Sequence, residues 1–259
     1  MRILFLSLAL ALLGGCAGGL RIDTSHTSVS QSSRVQYVVL HYTSADLPTS
    51  LRVLTRDGVS SHYLIGDHPA TIYRLVDESR RAWHAGESDW QGRTWLNAST
   101  LGIELVNDGY VDTPNGRVYR PYSDEQIDAL ILLLKDIVAR HSLPLGSIIG
   151  HSDIAPQRKV DPGPLFPWKR LADAGLVAWP EAGAVARAQA RFAYSLPTVA
   201  WFQQQLARQG YTTPQTGVLD EATRNVISAF QMKYRQRLYD GQPDAETAAL
   251  LLVLNGMLR

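Results

Sequence analysis

Val35, Tyr37 and Val39 alternate with Gln36, Val38 and Leu40 in a short β-branched run, which predicts a central strand ending at His41. A second apolar run, Leu101-Gly102-Ile103-Glu104-Leu105-Val106, predicts another strand. The period then changes. Ser123 followed by Gln126 has the form of a capping box, and Ile127, Leu130, Ile131, Leu134 and Val138 recur at helical spacing, so an amphipathic helix is predicted that stops between His141 and Pro144. Ser147 to His151 predicts a third short strand feeding a long Pro-rich loop. Strands mixed with helices imply an α/β or α+β domain.

Toward the C-terminus the pattern becomes purely helical. Leu171 to Ala193 is Ala-rich, contains Pro180 and lacks a clear strand, which places a domain junction there. Beyond it Gly217-Val-Leu-Asp220-Glu-Ala-Thr223 recurs as Gly241-Gln-Pro-Asp244-Ala-Glu-Thr247. In both copies Gly permits a turn and Asp serves as N-cap, so each copy starts a helix. At the other end, Arg2 precedes the apolar run Ile3 to Leu13, far short of the roughly 20 residues that span a bilayer. It reads as a cleaved signal. The run closes in Leu13-Gly14-Gly15-Cys16, which resembles the bacterial lipobox, with Cys16 as the lipidated first residue of the mature chain; a core cysteine behind an ordinary signal is the alternative. Gly18 to Ser33, rich in Gly, Ser and Thr, reads as a flexible tether.

Composition narrows the field. The 259 residues suffice for a medium domain plus a small one, and 45% hydrophobic content indicates a folded protein. The balance of 25 Lys+Arg against 24 Asp+Glu leaves no broad basic footprint, which argues against nucleic acid as a partner. A single cysteine excludes an internal disulfide and any multi-cysteine zinc site, leaving His and carboxylate as ligands.

His41 and His151 close two predicted strands, and Asp161 follows His151 by ten residues. Two imidazoles and a carboxylate would hold Zn²⁺ with the fourth position open, the arrangement of a hydrolytic site. On spacing alone, both histidines read equally well as core or loop residues. Glu104 adds weight, because a carboxylate between Ile103 and Leu105 is costly to bury without a compensating role. Proton transfer beside a metal is such a role, and a solvent-facing Glu is the alternative. Lys159, two residues from Asp161, could stabilise an oxyanion or could simply be a solvated loop lysine.

Five segments taken together, His41-Tyr42-Thr43, Ser61-His62-Tyr63-Leu64-Ile65, Ala82-Trp83-His84-Ala85-Gly86, Gly102-Ile103-Glu104-Leu105 and the loop from His151 to Gly163, resemble the type-2 N-acetylmuramoyl-L-alanine amidases over residues 34–175. The resemblance implies one Zn²⁺ per chain on His41, His151 and Asp161, Glu104 as general base and Lys159 as oxyanion stabiliser. Asp161 stands where some members carry Cys. Tyr42, Tyr63 and His84 match motifs facing the family cleft and are assigned to substrate positioning, although Tyr63 also fits a core residue; Trp83 reads as packing. His26, His62, His68 and His141 match no ligand position and read as surface or structural.

The implied fold is α/β, a mixed central sheet flanked by helices as in peptidoglycan recognition proteins, with a small all-α three-helix C-terminal domain. Residues from Leu196 onward resemble a peptidoglycan-binding module, which either grips cell wall or only braces the catalytic domain. The boundaries expected are a signal peptide over 1–15, a lipidated tether over 16–33, a zinc amidase domain over 34–175, a linker over 176–195 and the helical module over 196–259. A chain cut at the linker is expected to fold and keep its metal. The expectation is a monomeric outer-membrane lipoprotein facing the periplasm. Its partners would be peptidoglycan and muropeptides, with the membrane reached through the lipid anchor. It would hydrolyse the amide between N-acetylmuramic acid, including anhydro forms, and L-alanine. The alternative is a non-catalytic peptidoglycan-binding sensor or tether.

Overall fold

The computed structural model describes residues 20–257, so the predicted signal peptide and Cys16 lie outside the described residues. The chain divides into two units at Ser32/Ser33, and residues 20–32 contain neither helix nor strand. Among the described residues no helix is long and apolar enough to cross a membrane.

From Ser33 onward the elements follow as β1 (Tyr37–Tyr42), α1 (Leu47–Arg56), β2 (Tyr63–Ile65), β3 (Ile72–Arg74), β4 (Asp89–Trp90) and β5 (Arg93–Thr94). Next come a 3₁₀ turn at Leu96–Ala98, β6 (Thr100–Leu105), β7 (Tyr110–Thr113), β8 (Gly116–Tyr119), α2 (Asp124–His141), β9 (Ile148–Gly150) and α3 (His151–Ile154). The chain ends through α4 (Trp168–Asp173), α5 (Ala182–Tyr194), α6 (Val199–Gln209), α7 (Glu221–Tyr234) and α8 (Ala245–Met257). The three strands read from the sequence are present, and the first runs one residue past His41 to Tyr42.

Five strands form one sheet in the order β3-β2-β6-β1-β9. β1 pairs in parallel with β6 and β9, β2 pairs in parallel with β6, and β3 closes the edge antiparallel to β2. Alternation along β1 then sorts its residues. Val38 and Leu40 join Leu101, Ile103 and Leu105 of β6 in one core under α2, whose Ile127, Leu130, Leu134 and Ile137 are all buried at helical spacing. The intervening residues, Tyr37, Val39 and His41, therefore share the opposite face with Thr100, Gly102 and Glu104, their register partners on β6.

Part of that second face is covered by the helical module. Val39, Ile149, Ile154 and Trp90 belong to one continuous core with Phe202, Leu206, Tyr211, Val226 and Phe230. The stretch expected as a linker carries α5, capped by Glu181 and packed on α8, so the module has a fourth helix beside the three expected. Its N-caps are those read from the repeat: Asp220 accepts from the Thr223 amide and Asp244 from the Thr247 amide, each at 2.8 Å. A buried glutamine completes each copy. Gln203 accepts from Gly217 N–H and donates to Thr223 Oγ1, as Gln231 does with Gly241 and Thr247.

One local reading is corrected. Ser123 does cap α2, accepting from the Gln126 amide at 3.3 Å, but Gln126 does not reach back to complete a capping box. Its side-chain amide is buried and donates to the carbonyls of Ile65 and Val106, at the ends of β2 and β6.

Candidate functional site

The open part of the second face is a cavity of about 460 Å³ at the C-terminal ends of β1 and β6, where parallel sheets place ligands. His41, Tyr42, His84, Glu104, His151, Lys159 and Asp161 all line it, so the structure brings together seven of the eight pocket residues expected from the sequence. Tyr63 is the exception. It is buried in the core under α2, and its hydroxyl donates to Glu78 Oε1 at 2.6 Å.

Each ligand candidate is set by its element. His41 is placed by its register against Glu104, and β9 delivers His151 as the first residue of α3. The following loop returns on itself where Ser152 N–H donates to the Asp161 carbonyl at 2.8 Å, which carries Asp161 back beside His151. The result is a buried triangle: His41 Nδ1 and His151 Nδ1 lie 2.9 Å apart, and Asp161 Oδ2 is 3.1 Å from the first and 3.0 Å from the second.

Whether those atoms present protons or lone pairs follows from their neighbours. The Thr100 hydroxyl donates to Leu96 O at 2.7 Å, so toward His84 Nε2, 3.1 Å away, it can only accept. His84 Nε2 therefore carries the proton and His84 Nδ1 is bare. His84 Nδ1 sits 3.0 Å from His41 Nε2, which must then be the donor, leaving a lone pair on His41 Nδ1. His151 Nε2 faces the Ala85 carbonyl at 3.2 Å and donates to it, which leaves its Nδ1 bare as well. Burial and the neighbouring His151 push the His41 pKa down to about 4, and burial also holds His84 well below the usual imidazole value, so both rings are neutral. Burial alone would raise the Asp161 pKa and protonated His151 and His41 would lower it, so with both Nδ1 atoms bare the ionised carboxylate calls for another cation beside it.

Three converging lone pairs without a proton repel one another unless a cation lies between them. In a tetrahedral zinc site, N and O ligands at 2.0–2.2 Å stand about 3.3 Å apart, close to the spacing here. The donor set thus fits a metal ion, and His41, His151 and Asp161 could hold one.

Gly102 makes the arrangement possible. A Cβ built on it would lie 2.4 Å from the His84 ring, so the ring rests directly on the bare backbone of β6. Asn97 Oδ1 accepts from the amides of His84 and Ala85 and fixes that loop. Glu104 lies one register step from Gly102 on the same face, and its Oε2 is buried with no hydrogen-bond partner among the described residues. Burial, then the charge of Asp161, pushes the Glu104 pKa up to about 8, while Lys159 pulls it down. Lys159 is half-buried on the pocket wall.

Other pocket residues escaped the sequence reading. Trp83, expected as packing, is half-exposed on the wall, with the Arg81 guanidinium 4.1 Å above its ring. Tyr110 and Arg158 also line the cavity. Trp83 could have been found from its place beside His84 in a segment already singled out; Tyr110 sits on a hairpin with no chemical pattern. Of the remaining histidines, His62 is buried rather than superficial and accepts from Gly102 N–H.

A family model described as N-acetylmuramoyl-L-alanine amidase matches residues 31–164, and one for a peptidoglycan-binding domain matches residues 195–251. N-acetylmuramoyl-L-alanine amidase AmiD of Escherichia coli (strain K12) is 42% identical over 264 residues, covering 96% of this chain and 95% of the relative. The structure of the E. coli AmiD complex with its substrate anhydro-N-acetylmuramic acid-L-Ala-D-gamma-Glu-L-Lys superposes with a TM-score of 0.84 at 40% identity, covering 93% of this chain and 96% of that one. AmpDh3 from Pseudomonas aeruginosa, in complex with anhydromuramic pentapeptide, superposes with a TM-score of 0.86 at 38% identity, covering 92% and 99%.

Proposed function

The chain belongs to the N-acetylmuramoyl-L-alanine amidase family, and on that premise we propose that it is a zinc-dependent hydrolase acting at the pocket around His41. It cuts the amide between the lactyl carbonyl of N-acetylmuramic acid, anhydro forms included, and the L-alanine of the stem peptide. The observation that carries the zinc reading is the triangle of three bare donor atoms on His41, His151 and Asp161.

Held by His41, His151 and Asp161, zinc would supply Lewis acidity to the scissile carbonyl and to the attacking water. The chain does the rest. Glu104, with Oε2 uncommitted, takes the proton from the attacking water when it is ionised and returns it to the leaving nitrogen, which would otherwise depart as an amide anion. The Lys159 ammonium balances the negative charge that develops on the carbonyl oxygen. His84 holds His41 in the tautomer that turns Nδ1 inward, as ligands to zinc require from their outer partners. Tyr42 and Trp83 wall the cavity and orient substrate.

The same reading extends to the rest of the chain. Residues 34–175 form the catalytic domain and 196–259 a module that meets peptidoglycan. Cys16 carries lipid that holds the protein on the outer membrane, facing the periplasm. Competent side chains at all three ligand positions favour the enzyme over a non-catalytic sensor. The test is metal analysis of His41→Ala, His151→Ala and Asp161→Ala beside muropeptide turnover. Each should lose both zinc and activity, because two ligands hold zinc poorly. Full zinc occupancy in any of them would remove that residue from the site.

A further inference from the structure

Next to the metal-site triangle in the chain, but not lining the cavity, lies a buried charge. Asp153, two residues beyond His151 on α3, is only 1% exposed, and its partners come from two parts of the chain. Its own backbone contributes one: Gly150 N–H donates to Asp153 Oδ2 at 2.8 Å. The helical module contributes two more. Lys233 Nζ of α7 donates to Asp153 Oδ2 at 2.9 Å, and the Tyr211 hydroxyl, just past α6, donates to Asp153 Oδ1 at 2.6 Å.

Lys233 is also buried, with 5% exposure, and its ammonium lies 4.3 Å over the Trp168 ring and 3.4 Å from the Ile148 carbonyl. An interface already lined by Phe202, Leu206 and Phe230 does not need an ion pair for stability, because apolar residues of similar volume serve as well or better in such places. A hydrogen-bonded pair supplies direction instead. The segment it directs is the one from Gly150 to Asp153, which presents His151 and, through Ser152 N–H, holds the Asp161 carbonyl. Two of the three ligand residues thus hang on a four-residue stretch that the module clamps at Asp153.

We propose that the helical module is a structural part of the metal centre: Lys233 and Tyr211 fix Asp153, and through it the turn that aims His151 and Asp161. This rests on reading those residues as metal ligands. Lys233 and Tyr211 touch neither ligand nor substrate and act as positioning residues.

The experiment uses the full chain and measures zinc affinity by competition with a chromophoric chelator, together with the visible spectrum of the cobalt-substituted protein. Lys233→Met should weaken zinc binding by about 10- to 100-fold, the range typical of groups that orient ligands, and Tyr211→Phe by several-fold. Both should alter the cobalt spectrum, and Lys233→Arg should restore part of the loss. Gln203→Leu, which breaks a clasp inside the module without touching Asp153, should lower the Tm yet leave zinc affinity within about twofold. Should Lys233→Met not fold, Tyr211→Phe, which removes a single hydroxyl, decides alone. Wild-type affinity and spectrum in Tyr211→Phe would overturn the proposal, as would a Gln203→Leu chain that loses zinc equally. A wild-type chain that takes up neither metal would instead refute the ligand reading, and the proposal with it.

Discussion

At the scale of single residues, the pocket depends on what each side chain can and cannot donate. Glu104→Gln keeps the volume and the hydrogen-bonding capacity of the side chain but cannot accept a proton from water. Zinc content should stay at the wild-type level while turnover falls by about 10²- to 10⁴-fold, the range for losing a general base. Loss of zinc from this variant would make Glu104 a support of the metal instead. Gly102→Ala probes the same face of β6, one register step away. Its methyl would meet the His84 ring at 2.4 Å, so the ring must leave His41. We expect a loss of about 1–3 kcal/mol in thermal or denaturant unfolding, as for overpacked cores, with weakened zinc binding. His41, Glu104 and His151 were legible in the sequence because each breaks or ends an apolar run, and Asp161 because it follows His151 by ten residues in a segment that resembles the family. The chain from Thr100 through His84 to His41 was not, since it exists only once β1 and β6 are aligned in register.

At the scale of elements, α2 shows how far periodicity carries. Its apolar stripe predicted the helix and its buried face, and Leu130→Ala, at a position with no exposure, should cost about 2–5 kcal/mol in denaturant unfolding. Short elements gave no such signal. β2 and β3 have three residues each, too few to show a period, and α1 starts Asp46-Leu47-Pro48 with only Ser50 and Leu54 buried. The end of α2 is tied down by Glu78, which accepts from Tyr63 at 2.6 Å and Arg140 Nη2 at 2.9 Å and meets His141 Nε2 at 2.8 Å. Burial would raise the Glu78 pKa, but these partners outweigh it and hold it at about 2. A carboxylate with a depressed folded-state pKa stabilises the fold above its unfolded value, near 4.3, and loses that contribution as pH falls through the folded value. Wild type should therefore lose stability relative to Glu78→Gln between about pH 5 and 2, and parallel melting curves across that range would contradict the role given to Glu78.

At the scale of the whole molecule, the Ala-rich composition shift invites a cut between the catalytic and helical parts, but the continuous core argues otherwise. Removing residues after Pro180 would bare Val39, Ile149, Ile154 and Trp90. The shortened chain should aggregate or melt far below the full one, and a cooperative transition at the same temperature would show that the parts fold separately. Sequence pattern suggested a junction because composition is local; the shared core was hidden because it joins residues as far apart in the chain as Val39 and Phe202. Cys16→Ser should move the protein from the membrane fraction to the soluble one while leaving turnover of soluble muropeptides intact. The central claim is that this pocket hydrolyses the lactyl–alanyl amide with zinc. Its most direct test is mass spectrometry of an anhydromuropeptide digested by the zinc-loaded chain in ¹⁸O-labelled water. The account predicts one heavy oxygen on the lactyl carboxylate of the muramic acid and an unlabelled stem peptide with a free L-alanine amine. No cleavage, or label anywhere in the released peptide, would contradict it.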